Sequence, residues 1–143
     1  MTTVESLIKD GKVHPFKATR EEIERVLNLA RRDLGEAEKI QSSLDWCFSI
    51  AYNSILQTCR AYMFHLGFRP ASSEAHKTTF QFMQIVVDQT MKQKVDYFDR
   101  VRKKRHRAIY DEAGLVTEKE AMKLLDEAKI FLTYIEHEIN NNK

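Results

Sequence analysis

The chain has 143 residues, of which 43% are hydrophobic and 31% charged, with only 4 Gly and 2 Pro. This balance is typical of a compact helical protein, and it excludes a disordered chain and a strand-rich fold that needs many turns. The formal net charge of +2 excludes general binding of polyanions by the whole surface, so any such binding requires local clustering of charge.

The sequence lacks the segments that anchor a protein in a membrane and the spacings that hold a metal. Charged residues interrupt the N-terminus, and no stretch approaches the roughly 20 apolar residues of a membrane helix. We therefore expect a cytoplasmic protein with no membrane contact. Cys47 and Cys59 are about 18 Å apart in one predicted helix, too far for a disulfide, and we expect both in the core. The scattered histidines lack the spacing of a metal site, so we expect no metal: His14, His65, His76 and His137. The four glycines sit far apart and form no Gly-rich phosphate loop, so we expect no cofactor.

The predicted elements begin with an N-terminal extension, residues 1–18, which contains a short apolar stretch. The first long helix begins at Thr19, because Thr19 and Glu22 three residues later form a capping box, and it ends near Gln41. A second helix follows and ends at Gly67, a natural C-terminal cap.

Three further helices are predicted after Gly67. The third covers about residues 73–88, the fourth about residues 92–110, and the last opens at Thr117 and leaves a frayed tail at 140–143. Amphipathic helices joined by short loops bury their apolar stripes against one another. The sequence therefore predicts an all-α fold, an up-and-down antiparallel bundle of four to five helices, in a single domain of residues 1–143.

The fourth helix carries the one strong anomaly of charge, a basic run of six formal positive charges in eight residues: Arg100, Arg102, Lys103, Lys104, Arg105 and Arg107. A solvated helix face is one explanation of such a run. Clustered cations also displace counterions from phosphates, which favours binding of a nucleotide or RNA.

Arg105 lies where the helical period predicts an apolar residue. It falls on the stripe between Val101 and Ala108, where a guanidinium is costly unless it has a partner or a ligand. We expect either a carboxylate, with Asp45 as the first candidate, or a polar cleft that accepts phosphate.

His106 and Tyr110 are four residues apart and share one side of the same helix, beside Arg102. Together these side chains could hold a phosphate and present a titratable imidazole and a phenol. Such a set suits nucleotide or RNA binding. It also suits cleavage in which a ribose hydroxyl attacks the adjacent phosphate, since His can move the proton and Arg can stabilise the developing charge.

The second helix carries a further cluster of polar and aromatic side chains: Asp45, Trp46, Tyr52 and Asn53. Asp45 and Tyr52 are seven residues apart and share a face, so the Asp45 carboxylate could balance a buried arginine. Alternatively, Asp45 is an acid favoured by the helix dipole, and the aromatic residues belong to an ordinary core.

Two segments together resemble a known family. Asp45-Trp-Cys-Phe-Ser-Ile-Ala-Tyr-Asn53 lies in the second helix, and Arg102-Lys-Lys-Arg-His-Arg-Ala-Ile-Tyr-Asp111 lies near the end of the fourth. With the flanking segments Ala30-Arg-Arg-Asp-Leu34 and Ala128-Lys-Ile-Phe-Leu132, they resemble the HEPN (higher eukaryotes and prokaryotes nucleotide-binding) superfamily over about residues 19–139.

The resemblance implies a bundle of four or five helices that forms homodimers and is often encoded with a minimal nucleotidyltransferase as partner. Some members of the superfamily are metal-independent ribonuclease toxins. In those members an Arg, a polar residue and a His follow the pattern Arg-x(4–6)-His, and the sites are composed at the dimer interface. Apolar pairs on the last helix, Leu124 with Leu125 and Phe131 with Leu132, also favour a second subunit as neighbour.

Two alignments with the ribonuclease pattern are open. In the first, Arg105 is the arginine, His106 stands at the polar position, and Tyr110 replaces the catalytic His. In the second, His106 is the catalytic residue and Arg100 the arginine, with Val101 at the polar position. The first alignment fits the following residues better, and it leaves nuclease activity open.

We interpret the chain as a dimeric module that binds a nucleotide or RNA and works with a nucleotidyltransferase-type or antitoxin-type partner. Three groups of residues carry this hypothesis: Arg105, His106 and Tyr110 as candidate catalytic residues, Arg100, Arg102, Lys103, Lys104 and Arg107 as binding residues, and Asp45, Tyr52 and Asn53 in support. The alternatives are a metal-independent endoribonuclease of a toxin–antitoxin type and a structural helical adaptor. A common cleft for Arg102, Arg105, His106 and Tyr110 would favour ligand binding, whereas a dispersed set would favour the adaptor.

Overall fold

The computed structural model describes residues 1–40, 42–72 and 75–141, and helices make up most of this part of the chain. The elements in chain order are α1 (Val4–Lys9), β1 (Val13–Pro15), α2 (Arg20–Lys39), α3 (Leu44–Leu66), β2 (Phe68–Pro70), α4 (His76–Val86), a 3-10 turn (Gln89–Met91), α5 (Lys92–Tyr110) and α6 (Glu118–Asn141). Among the described residues, no helix combines the length and apolar character that crossing a membrane requires. The predicted all-α helical bundle is confirmed.

Local sequence determines several of the helix ends. The Thr19 hydroxyl accepts from the Glu22 backbone and the Glu22 carboxylate accepts from the Thr19 backbone, which is the predicted capping box. Thr117 and Glu120 make the same reciprocal bonds before α6. Gly67 ends α3 with a φ of 95°, a left-handed conformation that favours glycine.

Some predicted boundaries differ from the structure. The predicted end of the first helix near Gln41 and the predicted start of the third at residue 73 lie outside the described residues. The third helix ends at Val86 instead of residue 88, and the backbone of Val87 is extended. Residues 140 and 141, which we expected to fray, are helical in α6; residues 142–143 lie outside the described residues.

Ion pairs between α5 and α6 show that these two helices run antiparallel. Near the start of α5, Lys94 Nζ lies 2.5 Å from a carboxylate oxygen of Glu127. Further along α5, Lys104 pairs with Glu120, which lies earlier in α6. The partners therefore advance in opposite directions along the two helices, as expected of neighbours in an up-and-down bundle.

The central helix of the bundle is α3, and α2, α4, α5 and α6 all pack against it. Ser54 marks the close approach of α2 and α3, because its hydroxyl donates to the backbone oxygen of Ala30 at 2.7 Å. Cys47 and Cys59 are buried free thiols, as predicted, and burial raises the pKa of the Cys59 thiol. A helix surrounded in this way can place different side chains against several neighbours at once.

The N-terminal segment, which the sequence suggested was a mere extension, is part of the packed structure. Leu7 of α1 and Val13 of β1 are buried in the core. β1 pairs antiparallel with β2, and His14 lies opposite Arg69 in the register. This short ladder joins the start of the chain to the segment between α3 and α4.

The apolar pairs of α6 are buried inside one chain. Leu124 and Phe131 are fully buried, and Leu125 and Leu132 are each 5% exposed. Our inference that this wide apolar arc faces a second subunit is therefore wrong, because α2 and α3 pack against α6 and Phe98 of α5 contacts Phe131. Any dimer must use another surface.

Candidate phosphate-binding cleft

Four residues predicted from the helical period of α5 lie together in one open cleft. Arg102, Arg105, His106 and Tyr110 line it with His76 and Lys77 from the first turn of α4, and its volume is about 310 Å³. The common cleft is therefore present, and residues from a second helix complete it. We call this set of six residues the cationic cleft.

Arg105 is held by side chains of α3 beneath the cleft. Its Nε donates to Ser49 Oγ at 3.2 Å, and its guanidinium carbon lies 5.4 Å from the centroid of the Tyr52 ring. Ser49 and Tyr52 are almost fully buried, so Arg105 rests with one face on the core. A guanidinium stacked in this way keeps a fixed plane and can present its other donors to an anion.

Asp45 is not the partner of Arg105, so that prediction is wrong. Its Oδ2 accepts from the backbone N–H of Gly114 at 2.8 Å, and its Oδ1 accepts from that of Val116 at 3.3 Å. The carboxylate therefore fixes the loop between α5 and α6. Asp45 lies in the first turn of α3, one turn before Ser49, and this places it level with the loop that follows the end of α5.

Tyr52 links α3 to the α4 side of the cleft. Its hydroxyl lies 3.2 Å from His76 Nδ1, and the side chain is fully buried. Burial raises the pKa of Tyr52, although the neighbouring charges of Arg105 and Arg102 oppose this shift. Tyr52 therefore stays protonated at neutral pH and fixes the position of the His76 ring.

Sequence reasoning missed His76 and Lys77 as members of the site. His76 was one of the scattered histidines, since no local pattern connects the start of α4 with the last turns of α5. The one local signal near His76 was the Arg-Pro and Ser-rich stretch before α4. This stretch predicts a loop, but it does not indicate which helix packs against α4. Packing of α4 against α5 brings these side chains to the cleft.

His106 and Tyr110 form the outer wall of the cleft. Their ring centroids are 4.8 Å apart, as expected for side chains four positions apart on one helix face. His106 is exposed and Tyr110 is 67% exposed. Both rings can therefore reach a ligand in the cleft without any movement of the bundle.

The rest of the basic run points elsewhere or is solvated. Lys104 pairs with Glu120 of α6, and this hydrogen bond lowers the pKa of the Glu120 carboxyl. Arg100 lines a different cavity on the side of α5 that faces α6. Lys103 and Arg107 are exposed to solvent, and a guanidinium nitrogen of Arg107 lies 3.8 Å from a carboxylate oxygen of Glu112. Asn53 of α3 is half-buried and does not line the cleft.

The charge of the cleft is positive. Lys77, Arg102 and Arg105 contribute three cations, and the carboxylate of Asp99 lies 2.8 Å from Arg102 Nε. Guanidinium and ammonium groups around an open volume suit a phosphate, which accepts several charge-assisted hydrogen bonds. Within the described ranges, no group of three or more His, Cys, Asp or Glu side chains could hold a metal ion.

Comparison with known proteins identifies the family of this chain. No curated protein matches this chain. The model of the HEPN domain matches residues 23–138, a range that includes α3, α4, α5 and every residue of the cationic cleft. The chain therefore belongs to the HEPN domain family.

Proposed function

We propose that this chain is a single-domain module that binds the phosphate of a nucleotide or of RNA in the cationic cleft. The observation that carries the proposal is the convergence of Arg102, Arg105 and Lys77 on one open volume, with Arg105 fixed by Ser49 and Tyr52. Membership of the HEPN family supports a role related to nucleotides or RNA in general. A structural adaptor would need none of these side chains to meet, so the shared cleft argues against that alternative.

Residues outside the cleft extend the proposed binding surface. Lys103 and Arg107 are exposed on the same turns of α5 and would contact phosphates that flank the cleft. We also propose, on the resemblance stated above, a cytoplasmic protein that works with a nucleotidyltransferase-type or antitoxin-type partner. Tight binding of this chain to a protein of either type would directly support the proposed partnership.

The salt dependence of RNA binding tests the cleft. In the double variant Lys77→Gln/Arg102→Gln, we expect the negative slope of log K against log salt for a labelled single-stranded RNA to become shallower by about 1.4, because each lost phosphate contact removes about 0.7 from its magnitude. Fluorescence anisotropy across a salt series measures the slope. The matched control is Lys119→Gln/Lys129→Gln, which removes two exposed cations of α6 and should lower the magnitude of the slope by much less. Equal slopes for the two double variants would refute binding in the cleft.

A homodimer remains part of the proposal, and exposed aromatic side chains suggest where it forms. Trp46 in the first turn of α3 is 59% exposed, and Tyr110 in the last turn of α5 is 67% exposed. The contact between Ser49 and Arg105 brings these two helix ends to the same end of the bundle. Exposed large aromatic residues are enriched at protein interfaces.

We expect light scattering to give a mass of twice 16.8 kDa for the parent chain. Trp46→Glu should shift the mass to that of the monomer, because a carboxylate is costly to bury in an interface. Ile130→Glu is the control, since Ile130 is 50% exposed and lies on α6, a helix that carries neither of these two aromatic residues. A parent that is monomeric at micromolar concentration contradicts the dimer, and a dimeric Trp46→Glu variant contradicts this interface.

Cleavage of RNA is the second candidate function, and one observation favours it. Two imidazoles, His76 and His106, line the same cleft as Arg105. Attack of a ribose 2′-hydroxyl on the adjacent phosphate needs one group to accept a proton and another to supply one to the leaving oxygen. Arg105 would stabilise the charge that develops on the phosphate.

A further inference from the structure

A second cavity, lined by two arginines, lies beside the segment that joins α3 to α4. It has a volume of about 160 Å³, and its lining residues come from the end of α3 and from β2 and the turn after it: Arg60, Phe64, Arg69, Pro70, Ala71 and Ser72. We call it the arginine cavity. It shares no lining residue with the cationic cleft.

The arginine cavity combines guanidinium groups with aromatic rings. The Arg60 guanidinium carbon lies 5.6 Å from the centroid of Phe64, and that of Arg69 lies 5.9 Å from the centroid of Phe16. The Phe16 and Phe64 rings are themselves 4.9 Å apart. His14 lies opposite Arg69 in the β1–β2 ladder, so a third basic residue is adjacent to Arg69. Two planar cations and one aromatic ring, Arg60, Arg69 and Phe64, therefore line this small volume, and the Phe16 ring packs beside them.

Neither guanidinium of the arginine cavity is neutralised by a carboxylate within the described parts of the chain. The ion pairs there, which extend to 4.0 Å, include neither Arg60 nor Arg69. Arg60 donates to Gln57 Oε1 at 2.5 Å, a neutral acceptor. Burial lowers the pKa of Arg60. A half-buried guanidinium without an anion is costly, so an anionic ligand would stabilise this arrangement.

We propose that the arginine cavity binds the backbone and a base of the same single-stranded RNA whose phosphate occupies the cationic cleft. This inference rests on the proposed function. Arg60 and Arg69 would hold a phosphodiester, and a face of the half-buried Phe64 ring, which lines the cavity, would stack with a base, as aromatic residues do in proteins that bind single strands. A phosphorylated protein segment would use the arginines but has no base to stack on the ring.

The residues of α3 that belong to the two sites are separated along the helix by a distance that a short strand covers. Tyr52, which contacts Arg105 under the cationic cleft, and Arg60 are both on α3, and eight residues of helix separate them by roughly 12 Å along the axis. About three to four stacked nucleotides cover that distance at about 3.4 Å each. Ser72, which lines the arginine cavity, is only four positions before His76, which lines the cleft. An RNA of two nucleotides should therefore fill one site, and a longer strand should fill both.

The experiment compares binding of two labelled single-stranded RNAs, of about 2 and about 12 nucleotides, by fluorescence anisotropy. Arg69→Gln and Arg60→Met are the variants, since Arg69 is exposed and Met keeps the length and apolar stem of the half-buried Arg60. We expect each variant to weaken binding of the longer RNA by about fivefold and to lower the magnitude of its salt slope by about 0.7, with the dinucleotide unaffected. Arg25→Gln, an exposed arginine of α2, should change neither. Circular dichroism checks that all variants fold.

The outcomes separate this inference from the proposed function. If Arg105→Gln weakens the longer RNA while Arg69→Gln and Arg60→Met match the parent, the arginine cavity is not part of the RNA site and the cleft is. If only the arginine variants weaken it, the strand binds at the arginine cavity and the proposal for the cleft fails. If the parent binds neither RNA, both proposals are overturned. If Arg69→Gln lowers the affinity for the longer RNA no more than Arg25→Gln does, the effect comes from the overall charge of the protein, and the inference is also overturned.

Discussion

Replacement of Arg105 by lysine is expected to weaken binding of a single-stranded RNA by at least about tenfold, or roughly 1.4 kcal/mol. The guanidinium donates to Ser49 Oγ, lies over the Tyr52 ring and faces the cationic cleft at the same time. An ammonium is a point donor without a plane, so it cannot make these contacts together and still offer two parallel hydrogen bonds to a phosphate. The charge is retained, so any loss reports on geometry.

Arg107→Lys is the matched control for Arg105→Lys, because Arg107 is exposed on the same helix and carries the same change of side chain. It should bind RNA within about twofold of the parent, because an exposed side chain contacts a flanking phosphate through its charge, which lysine retains. Thermal unfolding followed by circular dichroism should give similar midpoints for both variants, since the stacking lost in Arg105→Lys is worth only about 1 kcal/mol. If Arg105→Lys binds like the parent, Arg105 is a solvated cation and the cleft does not hold phosphate through it.

The parts of the fold that could be predicted from the sequence are those that local contacts determine. Thr19 with Glu22 and Thr117 with Glu120 are three residues apart, so their capping bonds can be recognised without knowledge of any neighbour. The β1–β2 ladder could not be predicted in this way. Each strand has three residues, and the pairing of His14 with Arg69 spans two long helices that intervene in the chain. No alternating pattern is visible in so short a strand.

The candidate site follows the same division between local and non-local contacts. Arg102, Arg105, His106 and Tyr110 share a helix, and the period of α5 alone predicts that they share a face. His76 and Lys77 reach the cleft only because α4 packs against α5, and that packing leaves no trace in the local sequence.

The predicted pairing of Asp45 with Arg105 failed for a related reason. Residues seven apart on α3 do share a face, but Asp45 is two turns of helix away from Tyr52 and lies at the level of another element. There it meets the backbone of Gly114 and Val116, while Tyr52 meets Arg105 and His76. A helical face therefore predicts which side chains point in one direction, but not which neighbour each of them meets.

If the cationic cleft cleaves RNA, His106→Ala and His76→Ala are each expected to slow the reaction by about 10² to 10⁴-fold. The 2′-oxygen would attack the adjacent phosphorus while one imidazole accepts its proton. The other imidazole would protonate the 5′-oxygen as its bond to phosphorus breaks, which leaves a 2′,3′-cyclic phosphate. The parent should show a rate that rises and then falls with pH, and each variant should lose one limb of that profile.

The measurement is the appearance of the cyclic phosphate from a labelled RNA in the presence of a metal chelator, with an RNA that has one 2′-deoxy position as substrate control. His137→Ala, an exposed histidine of α6, should react like the parent. Tyr110→Phe separates the two alignments: a large loss would assign Tyr110 to the position of the family's catalytic His, and no loss would favour His106 there. If the chelator abolishes the reaction, or if both histidine variants retain the parent rate, the two-imidazole mechanism is wrong. Binding of the 2′-deoxy RNA without cleavage of any RNA would leave the cleft as a binding site alone, since a ligand can be held there by Arg102 and Arg105 without proton transfer.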